Sequence, residues 1–300
     1  MHKVHMIFDS TMSPLPFYLR GLLTPQTRLN QGEKLPTISA ELRGYTVRRK
    51  HLDRVISLCN LKNRETMPLI YPFTIIFPLH MSIVTHKEFP FCYLKMLQVR
   101  NHLIQFRQIR LAQEMDLFSQ IIAQRTLVKG LEIDIHSVAR SEDEPVWESL
   151  HTYFFRGRFG DTVEPSPLSR FHPLPENSSE AAWEMPEGGG FRFGLITGDY
   201  NGIHYFPPYA RLFGFRRDFM HSQRVLAQCL DRLPQWKDTY PIRLDAALKG
   251  SVYYKSPVRM RSCIDHKSCR FDLFCSTEPR PCITGALKSL ENNTGLMLKA

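Results

Sequence analysis

The sequence predicts an α+β chain of two similar units, each a long helix wrapped by an antiparallel sheet. Three observations carry the prediction. Runs of strand-forming residues dominate residues 103–155 and 242–287. Helical spacing of apolar residues is confined to a few segments. A proline-rich stretch then divides the chain near its middle, and the order of elements before it recurs after it.

Residues 1–25 read as an adaptable leader in which Phe17, Tyr18, Leu19, Leu22 and Leu23 pack on the body. Residues 41–48 are strand-like. Leu52, Val55, Ile56 and Cys59 then follow helical spacing within a short helix over 51–61. The stretch from Met67 to Thr85 contains no Asp, Glu, Lys or Arg. Pro68, Pro72, Pro78 and His80, and a length marginal against the ~20 residues of a membrane span, mark it as buried core. Pro78 is expected to open a helix carrying Leu79, Met81, Ile83 and Val84. Strands are expected over 103–111, 118–128, 130–138 and 147–155.

Five prolines lie between Asp161 and Pro186, and Gly188, Gly189 and Gly190 close the segment. The expected division is therefore a first unit at residues 1–156, a Pro-rich linker at 157–187 and a second unit at 188–300. In the second unit, Phe191 to Thr197 reads as a strand. A helix is expected over Phe219 to Arg232, with Val225, Leu226, Cys229 and Leu230 inward and Pro234 as its stop. Strands are expected at 242–247, 258–264, 270–276 and 282–287. His80 stands before its helix much as His221 does in the second half, which aligns the two units.

With 300 residues, 43% apolar and 23% charged, the composition is globular. The net charge of +10 implies acidic partners. The basic residues are scattered, with only Arg48-Arg49-Lys50 as a short run, and no zinc-finger or RNP-type motif is present. Nucleic acid is therefore not an expected partner. Seven cysteines, an odd number, and no apolar signal core near the start point to reduced thiols in the cytoplasm. Cys263, His266, Cys269, Cys275 and Cys282 lack an ordinary zinc spacing and span an expected hairpin turn. They are read as small buried hydrophobes, with no metal expected.

The chemistry concentrates in Thr197-Gly198-Asp199-Tyr200-Asn201-Gly202-Ile203-His204, followed by Tyr205-Phe206-Pro207-Pro208-Tyr209-Ala210. A carboxylate and an imidazole stand five residues apart with an amide between them. Gly198 and Gly202 supply a turn, and Pro207-Pro208 suits a helix start. A strand-to-helix connection of this kind brings a general base and its partner to one point. The same string is also ordinary turn and capping chemistry, in which His204 would be a hydrogen-bonded residue under a helix.

This segment resembles the hydratase motif of the MaoC-like family, the (R)-specific enoyl-thioester hydratases and 3-hydroxyacyl-thioester dehydratases. Gly198, Asp199, Asn201, Ile203, His204 and Ala210 match in register, and Tyr209 lies in the supporting helix. Gly202 departs from the family's proline. The resemblance is strongest over 188–287 and implies a double hot-dog fold whose first half, lacking the motif, walls the acyl tunnel. It implies that Asp199 and His204 hold one water, one accepting its proton and the other delivering a proton to the α-carbon. Asn201 fixes the loop or orients the acyl group. By position, the oxyanion donor is the backbone N–H of His221 or Ser222 at a helix start, Ser222 standing where the family commonly has glycine.

The implied substrate is an acyl-CoA or acyl carrier protein thioester, with no cofactor, and either monomer or homodimer is consistent with an internal pseudo-dimer. Lys255, Arg259 and Arg261 are candidate phosphate contacts, though alternate charges on a strand also describe one solvated face. Two other readings stand beside the enzyme: a non-catalytic acyl-thioester-binding protein, and a thioesterase. The latter needs a carboxylate on the second helix, where only Asp218 and Asp231 are available.

Overall fold

A computed structural model describes residues 3–296 except 10–11, 24–28, 30–31, 63–66, 161–162, 166–170, 172, 234–239, 266–267 and 292–294. Among the described residues, eleven strands form one sheet. They are β1 (Lys3–Phe8), β2 (Thr37–Thr46), β3 (Leu97–Gln105), β4 (Glu114–Leu127), β5 (Gly130–Ser141), β6 (Glu144–Arg156), β7 (Ser179–Glu184), β8 (Ile242–Leu248), β9 (Pro257–Asp265), β10 (Ser268–Cys275) and β11 (Ile283–Ser289). Their order is β1-β2-β4-β5-β6-β3-β8-β11-β10-β9-β7. All pairs are antiparallel except β1 with β2. Strands of the first half thus stay together, strands of the second half stay together, and β3 joins β8 at the seam. With one long helix on each part, this is the double hot dog.

The helices are α1 (Leu15–Leu23), α2 (Arg49–Cys59), α3 (Tyr71–Val84), α4 (Gly190–Thr197), α5 (Pro207–Leu212) and α6 (Ser222–Asp231). Helix α3 is the charge-free stretch. It is apolar all round, so only burial on every side keeps it out of water, and all but one of its residues are buried. It packs on β2, β4 and β5. Among the described residues no helix is long and apolar enough to cross a membrane. Helix α6 buries Val225, Leu226, Ala227 and Cys229, and Trp183 of β7 donates its indole N–H to Gln228 at 3.0 Å. Buried Arg224 ties the halves together: it donates to the Leu58 carbonyl at the end of α2 and to the Gly188 carbonyl.

Several expectations are corrected. Residues 191–197 form a helix, not a strand. Pro78 lies inside α3 rather than opening it, because Pro72 occupies the first turn, where no N–H is needed. The strand expected over 103–111 is β3, which ends at Gln105. The second-half helix starts at Ser222 rather than Phe219; Pro234, its expected stop, and His266, of the cysteine-rich segment, lie outside the described residues. The segment expected as a linker contains β7, which edges the second part of the sheet. The leader is structured: β1 pairs with β2, and Phe17 and Tyr18 are buried, but Leu19, Leu22 and Leu23 face solvent.

Candidate active site

Helix α4 determines where the motif lies. Gly190, Gly194 and Gly198 recur every fourth residue and so share one face of α4. A Cβ on Gly190 would stand 2.0 Å from the His204 carbonyl oxygen, and one on Gly194 would stand 2.6 Å from the Asp199 carbonyl oxygen. Only glycine permits the loop to lie this close. Gly198 ends the helix at φ +84°, with Pro14 from the N-terminal segment against it. The motif therefore runs from helix to helix, not from strand to helix: α4, the loop, one 3-10 turn at Gly202–His204, then α5.

Within the loop, the Asp199 carboxylate accepts from the Asn201 N–H at 3.3 Å. Asn201 caps the 3-10 turn by accepting from the Ile203 N–H, also at 3.3 Å. Asn201 thus shapes the loop by Asx-type capping. Gly202 has a specific neighbour: a Cβ there would meet the Tyr209 ring at 2.9 Å. The glycine in place of the family's proline and the tyrosine in α5 are complementary in shape.

His204 Nδ1–H donates to the Phe219 carbonyl at 2.9 Å, and Tyr254 O–H donates to the His204 carbonyl at 2.8 Å. The first bond sets the tautomer, leaving the Nε2 lone pair facing Asp199. Nε2 stands 4.0 Å from Asp199 Oδ2. That is too long for a hydrogen bond and short enough for one water to touch both atoms. Burial holds His204 below the ordinary imidazole range and raises the Asp199 carboxyl above its usual value, with His204 opposing the latter. The pair is thus biased toward a neutral imidazole beside a carboxyl group that holds its proton more firmly, a division suited to acid and base roles.

The sequence reading used only the backbone of His221, whereas its side chain also belongs to the site. The ring stacks on His204 with centroids 3.8 Å apart, and Nε2 reaches the Asp199 carbonyl at 3.4 Å and Oδ2 at 3.8 Å. Burial keeps it well below the ordinary imidazole range. Asp199, His204 and His221 offer ligand atoms within 4.8 Å of one another. A divalent cation could use that set, with His221 exchanging the carbonyl for the ion. A second residue not foreseen is Tyr18, whose hydroxyl accepts the Tyr200 N–H at 2.8 Å. No local pattern could have exposed a contact between residues 182 positions apart.

These groups line a cavity of about 270 Å³ between the two halves. Phe73, Phe77 and Met81 from α3 and Leu248, Val252 and Ile283 from the second half supply apolar wall, while Ser222 and Gln223 bring the first turn of α6 to it. The first N–H groups of a helix have no partner within the helix; here the Arg224 N–H turns back to the His221 carbonyl at 3.0 Å, which leaves those of Ser222 and Gln223, two residues that line the cavity. Lys255, Arg259 and Arg261 lie elsewhere. Lys255 pairs with Glu187, Arg259 with Glu180, and Arg261 donates to the carbonyls of Pro175 and Glu176. None of the three lines the cavity, whereas Lys249 does. Cys269, Cys275 and Cys282 are buried, and all seven cysteines are free thiols.

No family model matches the chain. Over 227 residues, 75% of this chain and 74% of the relative, it is 26% identical to 3-hydroxyacyl-thioester dehydratase X of Mycobacterium tuberculosis. The crystal structure of HtdX from the same organism matches with a TM-score of 0.69 at 20% identity, covering 84% of this chain and 100% of that one. A MaoC-like dehydratase from Phytophthora capsici matches with a TM-score of 0.70 at 13% identity, covering 86% and 96%.

Proposed function

We propose that this chain, a double hot-dog protein of the MaoC-like family, is a hydro-lyase that interconverts trans-2-enoyl and (3R)-3-hydroxyacyl thioesters. The observation that carries the reading is the Asp199–His204 pair, set 4.0 Å apart at the wall of a largely apolar cavity. The likeness to a named 3-hydroxyacyl-thioester dehydratase supports it. Only the second unit, residues 188–300, carries the motif; the unit at 1–156 contributes α3 and β3 as wall.

In hydration, a water held between Asp199 and His204 attacks C3 of the enoyl group and gives its proton to His204 Nε2. The C2=C3 electron pair moves toward the thioester carbonyl, whose oxygen takes up negative charge. The unpaired N–H groups at the start of α6 face that oxygen and favour the charge by hydrogen bonding and by the helix dipole. The enolate then collapses as C2 takes a proton from the Asp199 carboxyl, and the proton on His204 returns to Asp199. Dehydration runs the same steps backwards. In both directions the active pair carries one proton in total. Stacked, neutral His221 adds no charge beside His204, and its contact with the Asp199 carbonyl supports the loop.

The thioesterase reading lacks a carboxylate in the right place. Asp231 accepts the Lys62 N–H and pairs with Arg232, and neither Asp218 nor Asp231 lines the cavity. The seven free thiols agree with a reducing compartment, the cytoplasm in our reading. The test is loss of enoyl-thioester absorbance with crotonyl-CoA and a medium-chain enoyl-CoA, followed by chiral analysis of the product. Turnover to the (3R) alcohol supports the assignment; an (S) product, or release of free acid, refutes it.

A further inference from the structure

We infer that Gln98, a residue of the motif-free half, is a catalytic residue whose side-chain amide donates to the thioester carbonyl oxygen beside the N-terminus of α6. The inference rests on the hydratase reading and extends it to a group outside the motif.

A bulge in β3 places Gln98 there. Along β3, Asn101 and Leu103 face inward: Asn101 pairs across the sheet with His151, whose ring lies 4.4 Å from that of Phe73 in α3. Arg100 and His102 face the other way, toward Glu132 and Asp245. Strict alternation would put Gln98 on that outer face with Arg100. Instead, the register with β6 passes from Arg100↔Thr152 to Gln98↔Tyr153, so Val99 is the extra residue of a bulge. The shift brings Gln98 inward, next to Tyr153, and both line the cavity.

The carboxamide is held in one orientation. Its Oε1 accepts from the Ser222 hydroxyl at 3.0 Å and from the Gln223 side-chain amide at 3.1 Å. Both donors stand in the first turn of α6. The Nε2 group is buried and has no partner. An unpaired amide in such a place is costly, and a substrate carbonyl at the helix start, reaching it by displacing the side chains that cover it, is the acceptor that would relieve it. The same network gives Ser222 a purpose. Where the family commonly has glycine, the serine hydroxyl turns to Gln98 and orients a donor. The oxyanion site then combines backbone N–H groups of the second half with a side-chain N–H of the first.

The test uses Gln98→Glu, which keeps the acceptor for Ser222 and Gln223 but replaces the donor, and Gln98→Met, which keeps the volume and removes both. Removing one oxyanion donor costs about 100-fold or more in kcat, so kcat should fall by about that factor in each variant while KM changes little. The second readout is the infrared carbonyl stretch of crotonyl-CoA, labelled with 13C at the carbonyl and bound to Asp199→Asn. The stretch should lie below its value in water, and Gln98→Met in that background should return it most of the way. A kcat within about twofold of wild type, or a lower kcat with an unmoved carbonyl stretch, overturns the role of Gln98. If the wild type turns over no thioester, the hydratase reading fails, and the carbonyl stretch alone decides whether Gln98 donates.

Discussion

Adding a single methyl group to α4 tests how the catalytic loop is placed. In Gly194→Ala the new Cβ would stand 2.6 Å from the Asp199 carbonyl oxygen, against 3.4 Å for ordinary contact. The loop must retreat by roughly 0.8 Å, and the His221 Nε2 contact to the same oxygen moves with it. A displacement of about 1 Å at a catalytic group costs up to about 100-fold in rate, so kcat/KM should fall by about 10- to 100-fold. Stability should change less. Alanine favours the helix by about 1 kcal/mol over glycine, and overpacking costs about 1–3 kcal/mol; the net loss is about 2 kcal/mol at most. Steady-state kinetics and urea unfolding measure the two effects separately. Leu195→Ala, at a residue 56% exposed on the same helix, is the control and should keep full activity. Full activity in Gly194→Ala would refute the claim that the glycine face of α4 sets the position of Asp199.

Two further outcomes follow from contacts already described. Gly202→Pro introduces the proline of the MaoC-like motif but drives Cβ against Tyr209 at 2.9 Å; it should cost about 1–2 kcal/mol, and less in a Tyr209→Ala background. Additive effects in the double-mutant cycle would contradict the pairing of Gly202 with Tyr209. Acid sensitivity should be pronounced, because burial holds His80 down at about 3 and keeps His151 and His221 well below the ordinary range. Unfolded, these imidazoles take up protons below about pH 6.5, so stability is full above that pH and falls as pH drops toward the folded values. His80 alone loses about 2 kcal/mol by pH 5, and His151 and His221 add to the loss in the same direction. Raised Asp199 works in the opposite sense, gaining stability as pH falls, and offsets part of the loss. Urea midpoints that do not change between pH 8 and pH 5, or a loss unaltered in His80→Gln, would count against the argument.

What could be read from the sequence was local. The motif spans consecutive residues, and its capping chemistry at Asn201 is recognisable without a fold. The long strands β4, β5 and β6 alternate or bury both faces over more than ten residues each, enough for their pattern to show. Residues 191–197 misled because Phe191, Phe193 and Leu195 alternate like a strand. The competing signal was the glycine recurrence at 190, 194 and 198, which prevails because those glycines let the helix lie against the motif loop. Gln98 was hidden because the expected strand began only at residue 103, and strict alternation carried back along β3 would have assigned it to the wrong face, past the bulge at Val99. Tyr18 and Arg224 act across the fold, reaching the motif loop and the end of α2 respectively, and no periodicity encodes such contacts. In β7, the prolines around the strand masked a segment whose Trp183 is anchored to Gln228 of α6.

The central claim is that Asp199 and His204 together activate one water for addition to an enoyl thioester. The measurement is turnover of crotonyl-CoA by Asp199→Asn and by His204→Gln, with binding of a saturated acyl-CoA followed in parallel. Removing a positioned acid or base costs about 10²–10⁴-fold; each variant should lose that much in kcat while still binding the saturated thioester. A variant that retains more than about a tenth of wild-type kcat would contradict the account.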